Sequence, residues 1–207
     1  AIRFPVPDVR VFNSRSSTGV RGIKLVNAGD EVVSMSVIKH FDAESYERQA
    51  YLKMRRQLAG ADESEVSDDE EEAAEGSISM ERFEDMKAAE EVLVTITKGG
   101  IGKLSSSHDY PVRGRGGQGV TAMEKTMRGG PIVACFPVGM EDQIMLATSK
   151  GQSIRCPVDG ISFRSRGAGG VKVFNTGKGE EVVSVAWIAE SDDDVSTDGE
   201  APVGEAS

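Results

Sequence analysis

Arg113-Gly114-Arg115-Gly116-Gly117-Gln118-Gly119-Val120 places two arginines and four glycines in eight residues, just ahead of a strand-like run. Glycine has no Cβ, so a ligand can approach its backbone N–H groups directly. Arginine adds a planar, permanently charged fork suited to phosphate. The stretch reads as a loop that touches a phosphate backbone, and it is the densest of three related copies.

The other copies are Arg15-Ser16-Ser17-Thr18-Gly19-Val20 and Arg166-Gly167-Ala168-Gly169-Gly170-Val171. The shared unit is Arg-x-x-x-Gly-Val, followed after about a dozen residues by a β-rich run: Val32-Val33-Ser34, Ile132-Val133-Ala134 and Val182-Val183-Ser184. The second and third copies stand 51 residues apart, the first and second 100. An insertion explains the longer gap. Leu93–Gly100 aligns with Ile144–Gly151 at the same offset of 51, and nothing similar lies between Ile38 and Glu91.

A period of about 50 residues with short alternating β runs marks an all-β, propeller-like array of blades. Strands are expected at Val20–Val26, Glu31–Ile38, Val92–Thr97, Ile132–Phe136, Ile144–Thr148 and Val182–Ile188. Turns are expected at Lys98-Gly99-Gly100, Arg128-Gly129-Gly130 and Lys150-Gly151. The expected division is a partial blade at 1–38, an insert at 39–91, blades at 92–138 and 139–189, and a disordered acidic tail at 190–207.

The insert departs from the β pattern. Tyr46, Ala50, Met54 and Leu58 recur every fourth residue, which predicts an amphipathic helix from Asp42, its N-cap, to Leu58. Residues 61–76 carry nine acids and no base, and read as a disordered tip. Residues 78–91 again look helical, with Phe83 and Met86 on one face.

The formal charge of −10 hides a split. Residues 39–91 hold 17 acidic and 7 basic side chains, and 190–207 hold 7 acidic and none basic. The remaining body has 17 basic against 10 acidic side chains, a net of +7, which points to a polyanionic partner. Cys135 and Cys156 lack CxxC spacing and a neighbouring histidine, so reduced thiols of a cytoplasmic protein fit better than a zinc site. No apolar run reaches the roughly 20 residues of a membrane span. The start, Ala-Ile-Arg-Phe-Pro, lies within a strand-like segment with no signal-peptide pattern, and the chain reads as a C-terminal piece of something longer.

Other features carry less. His40 and His108 are lone and justify neither a catalytic nor a metal role. Trp187 is expected in a blade core, and Ser105-Ser106-Ser107 in a polar loop. Gly114-x-Gly116-x-x-Gly119 matches the dinucleotide fingerprint, but no helix follows it, as that motif requires. A plain blade turn accounts for the glycine and valine of the repeated unit. Phosphate contact accounts better for an arginine that recurs at one offset.

Arg3-Phe4, Thr18-Gly19-Val20-Arg21-Gly22-Ile23-Lys24-Leu25, Val32-Val33-Ser34, Gly102-Lys103, Asp142-Gln143-Ile144-Met145 and Gly151-x-x-Ile154-Arg155 resemble the C-terminal domain family of the DNA gyrase A subunit. The resemblance covers about 1–38 and 92–189. It implies a β-pinwheel of blades built from four-stranded antiparallel sheets, with double-stranded DNA wrapped around its basic rim in support of ATP-dependent negative supercoiling. It further implies two partners, the rest of the A subunit together with the ATPase subunit of gyrase, and no cofactor in this part. Phosphate contacts would fall on Arg113, Arg115, Gly116, Gly117, Arg15, Arg21, Lys103, Arg155 and Arg166. The family's glycine- and arginine-rich box lies in the first blade, so Arg113–Gly119 reads by its place as a later, box-like copy. Type IIA topoisomerases cleave DNA with a tyrosine that follows an arginine. Tyr46, Tyr51 and Tyr110 follow Ser45, Ala50 and Asp109, so no cleavage centre is expected here. The alternative of another class is a propeller-like scaffold for protein partners.

Overall fold

The computed structural model describes residues 1–60, 76–124 and 129–188. The expected acidic tip (except Gly76), the acidic tail and Arg128 of one expected turn lie outside the described residues.

The strand sequence VLVTIT is rich in β-branched residues, whose side chains suit a pleated surface, and it forms β1 (Val92–Thr97). Gly100, at φ +73°, turns the chain into β2 (Ile101–Ser106). β3 (Ile132–Val138), β4 (Gln143–Thr148), β5 (Ser153–Pro157), β6 (Val171–Lys172) and β7 (Val182–Ile188) follow. The antiparallel sheets run β3-β1-β2-β6 and β5-β4-β7. One core joins them: Val94, Ile96, Leu104 and Val138 from the first sheet meet Ile144, Leu146 and Val182 from the second. β1 is buried along nearly its whole length, because Leu93 packs on a second cluster with Tyr110 and Ala122.

The repeat is reproduced in atomic detail. Thr97 Oγ1 accepts the N–H of Ile101 at 3.2 Å, and Thr148 Oγ1 accepts that of Gln152 at 3.2 Å. The register slips at Ile96/Thr97 in one sheet and at Ala147/Thr148 in the other. The units also interlock. β6, from the third unit, completes the sheet of the second by pairing Val171 with Gly102. Val120 of the second unit pairs in the same way with Ala1 of the first, the N–H and C=O exchanged at 2.6 and 2.7 Å. Lone parallel bridges at Arg3/Val112 and Leu104/Phe163 repeat the same relation. The second and third units therefore each lend a short extended stretch to the unit before them. The last glycine of the box permits this approach. A Cβ at Gly119, which sits at φ +80°, would run into the carbonyl of Ala1, and one at Gly170 would sit 2.7 Å from that of Gly102.

α1 spans Ser45–Leu58 and α2 Met80–Ala88. Glu44, not Asp42, caps α1, through a capping box with Glu47. Ser79 caps α2 by accepting the N–H of Arg82 at 3.1 Å. Tyr51, Phe83 and Met86 are buried between the helices with Ala43. The buried line of α1 runs through Ala50 and Tyr51, while Tyr46 and Leu58, expected on that face, are exposed. The pair docks on the β body through His108, whose Nε2–H donates to the Met86 carbonyl at 2.8 Å. Arg55 adds a second tie, stacking 3.5 Å over the Phe163 ring and pairing with Glu90 at 3.1 Å.

Three further expectations are corrected. Val20–Val26 and Glu31–Ile38 form no strands, since scattered bonds such as Lys24 N–H to the Gly117 carbonyl at 2.8 Å replace a ladder. Ser105 and Ser106 lie in β2 and are buried, rather than in a polar loop. Trp187 is 55% exposed, its ring N–H donating to Asp142 at 2.6 Å. Among the described residues no helix is long and apolar enough to cross a membrane.

Candidate nucleic-acid interface

The box loop at 113–119 lies across residues 21–24. The Gly116 N–H donates to the Gly22 carbonyl and the Lys24 N–H to that of Gly117, both at 2.8 Å. Gly116 takes φ +85°, a backbone that suits glycine. The layering sets exposed Arg113 beside a segment that carries exposed Arg21 and Lys24. Arg15 is exposed on the preceding loop and Arg155 on β5.

The repeat arginines Arg115 and Arg166 are engaged inward. Arg115 Nε–H donates to the Asp8 carbonyl at 3.0 Å, and its Nη1 to the Arg21 carbonyl at 2.5 Å. Arg166 repeats this on the previous unit's equivalents: Nε–H to the Asp109 carbonyl at 3.0 Å and Nη1 to the Thr121 carbonyl. It also lies 3.7 Å from the Asp109 carboxylate. Asp8 and Asp109 each end a short 3-10 turn, Val6–Asp8 and Ser107–Asp109. The recurring arginine is thus a strap from one unit to the carbonyls of its predecessor. A fork with several fixed donors can satisfy two carbonyls at once, which a lysine would do less well.

Lys103 is a second correction. It is fully buried, and its Nζ donates to the carbonyls of Ser165, Arg166 and Ala168 at 2.7, 2.5 and 2.7 Å. Burial pushes its pKa down to about 8, opposed by the nearby Asp109 carboxylate. Lys103 and Arg166 were expected to meet phosphate. Both are enclosed and hold the third box loop, so neither presents its charge to solvent. Arg115 is half-buried with its fork on two carbonyls. Arg113, Arg21 and Lys24 are exposed on the two layered segments, and Arg15 is exposed on the loop before them. Lys24, exposed three residues after Arg21 in the TGVRGIKL stretch, was not among the expected contacts.

A family model described as DNA gyrase C-terminal domain, beta-propeller, matches residues 1–39, 91–138 and 142–186. The chain belongs to the DNA gyrase C-terminal domain family. The match leaves out the segment that holds α1 and α2, as an insert would. The DNA gyrase A subunit of Rickettsia bellii is 39% identical over 202 residues, covering 97% of this chain and 22% of the relative. That of Granulibacter bethesdensis is 41% identical over 204 residues, covering 92% and 22%. The chain therefore spans about a fifth of the length of these curated relatives. Among solved structures, a DNA gyrase A C-terminal domain aligns over 47% of this chain and 33% of its own, at 23% identity and a TM-score of 0.45. The C-terminal domain of DNA topoisomerase IV aligns over 48% and 31%, at 24% identity and a TM-score of 0.44.

Proposed function

We propose that this chain is a DNA-wrapping module of the DNA gyrase A subunit, holding duplex DNA against its outer turns by phosphate contacts. The observation that carries the reading is the layering of the 113–119 loop on 21–24, which brings together two segments that carry exposed Arg113, Arg21 and Lys24 in a body with net charge +7. A row of such turns neutralises a few phosphates per unit. Bending a few tens of base pairs costs several kcal/mol, which distributed contacts offset. Among the described residues no side-chain constellation for reading base edges accompanies the cations, and weak sequence preference is expected. Strand passage and ATP hydrolysis belong to the remainder of a type IIA topoisomerase. The cytoplasmic partners of this chain are then the rest of the same polypeptide and the ATPase subunit.

The test is duplex binding by the whole polypeptide over a salt series. Affinity should fall as salt rises, and the R113A/R21A/K24A variant should lose about one unit of log–log slope per contact removed. An affinity that is flat from low to physiological salt overturns the reading.

A further inference from the structure

Three consecutive residues of the second unit each hold a different part of the molecule. The Ser107 carbonyl accepts the Nη1–H of Arg3, from the first unit, at 2.9 Å. Buried His108 donates its Nε2–H to the Met86 carbonyl of the helical pair at 2.8 Å. The Asp109 carbonyl accepts the Nε–H of Arg166, from the third unit, at 3.0 Å. In the first unit the matching turn, Val6–Asp8, keeps the aspartate but has exposed Pro7 in the place of the histidine.

A second position departs from the repeat close by. Phe163 bridges Leu104 as Val112 bridges Arg3. The third unit thus has an aromatic ring where the second has a valine. The Arg55 guanidinium of α1 lies 3.5 Å over that ring. Both departures are points at which the helical pair touches the β body, and the pair lies in the segment that the family model leaves out.

The helical pair is also fixed at its base. Glu91, where the pair runs into β1, donates its N–H to Ser107 Oγ at 3.1 Å, and its carbonyl accepts the Ser107 N–H at 2.8 Å. Its carboxylate accepts the Lys39 N–H at 2.5 Å, so the entry of the insert is tied to its exit. Within the pair, Arg82 bonds Glu47 at 2.8 Å and Arg55 bonds Glu90 at 3.1 Å. Arg55 therefore reaches Phe163 from a helix anchored on the second unit. An element fixed to one unit and pressed on the next restrains the angle between them.

We infer that the helical pair is a brace across the junction of the second and third units, with Arg55 the positioning residue that holds their angle and so sets the curvature of the DNA path. The curvature rests on the wrapping reading, whereas the brace does not. Contacts offset the cost of bending DNA only while they stay on one arc, so a junction that yields lets the duplex straighten.

The test uses the full-length polypeptide as wild type, R55A, R55A/E90Q, F163V and R55A/F163V. R55A/E90Q leaves no buried carboxylate unpaired, and it serves if R55A unfolds the pair. Leu104 and Arg164 donate their N–H groups across the junction, to the Ser162 and Leu104 carbonyls at 2.9 and 2.8 Å. Without DNA, hydrogen exchange at these two amides should accelerate about tenfold in R55A and R55A/E90Q. R55A/F163V should be no faster than F163V, since both changes break one contact. On relaxed closed-circular duplex, the linking difference held per bound polypeptide should fall to about half in R55A/E90Q. Acceleration confined to Ser45–Leu58 and Met80–Ala88, or additive effects in R55A/F163V, overturns the brace. Accelerated exchange beside an unchanged linking difference overturns the positioning role. A wild type that holds no linking difference overturns the wrapping reading instead, and the exchange result still decides the brace.

Discussion

A guanidinium among glycines has two uses, because the fork that fits a phosphate also fits two converging carbonyls. Arg166 takes the second use and is buried on Asp109 and Thr121. Replacing it with alanine removes the ion pair with the buried Asp109 carboxylate and leaves two carbonyls without their donor. The expected loss is about 3–5 kcal/mol, read by chemical denaturation. R115A, at a half-exposed strap, should cost less, about 1–3 kcal/mol for two charge-assisted bonds. Equal losses, or none, would contradict the strap. Lys103 gives a pH signature. Its pKa is lowered in the folded state to about 8 from an ordinary 10.5, so between these values the unfolded chain binds more protons. Stability therefore rises with pH across that window, by up to about 3 kcal/mol for a shift of this size. A wild-type curve that stays parallel to that of K103M from pH 8 to 10.5 would refute the assignment. The recurrence of the arginine was legible in the sequence. Its partner was not, because a backbone carbonyl has no residue identity to recognise.

At the scale of elements, β1, β4 and β7 were legible because their runs are dense in β-branched and aliphatic residues. β2 and β5 were not, since IGKLSS and SIRCP carry glycine, lysine, serine and proline that only a neighbouring strand makes tolerable. Val20–Val26 and Glu31–Ile38 have the right composition but no partner strand, which composition alone does not reveal. The two helices were legible by their apolar period, although the cap of α1 is Glu44 rather than Asp42 and Tyr46 and Leu58 fall off its buried face. Their anchor, His108, was not, since a lone histidine in sequence shows neither its burial nor its partner. Here the ring meets Tyr51 edge-on at a centroid distance of 5.1 Å and Phe41 at 5.8 Å. Burial lowers its pKa, against the Met86 carbonyl and Glu90, which raise it, while Arg3 and Arg48 lower it further. The unfolded chain then binds the proton more readily, so stability contributed by this anchor is lost as pH falls through about 6.5, the unfolded value. H108Q should flatten that acid limb, measured as the difference between the two denaturation midpoints from pH 7.5 to 5. An acid limb unchanged in H108Q would remove His108 from the account.

Across the whole molecule, coupling between units runs through a lent strand, one arginine and one box glycine at each junction. Such an array behaves as neighbours joined by interface energies, so damage at one junction spreads to the adjoining sheets. Gly170 tests this at the β2/β6 junction. Its replacement by valine sets a branched side chain against the Gly102 carbonyl and the Ile101 side chain, each within 2.9 Å of a Cβ there. β6 should detach and leave the edge of β2 unpaired, which invites association. The hairpin of β4 and β5 pairs within its own unit and should keep its ladder. Hydrogen exchange of G170V should therefore accelerate at Ile101–Ser106 and Val171–Lys172, and least at Gln143–Thr148. Light scattering should report concentration-dependent self-association that the wild type lacks. Uniform acceleration through both sheets would mean that the molecule unfolds as one cooperative block, and that the junctions are not its weakest planes.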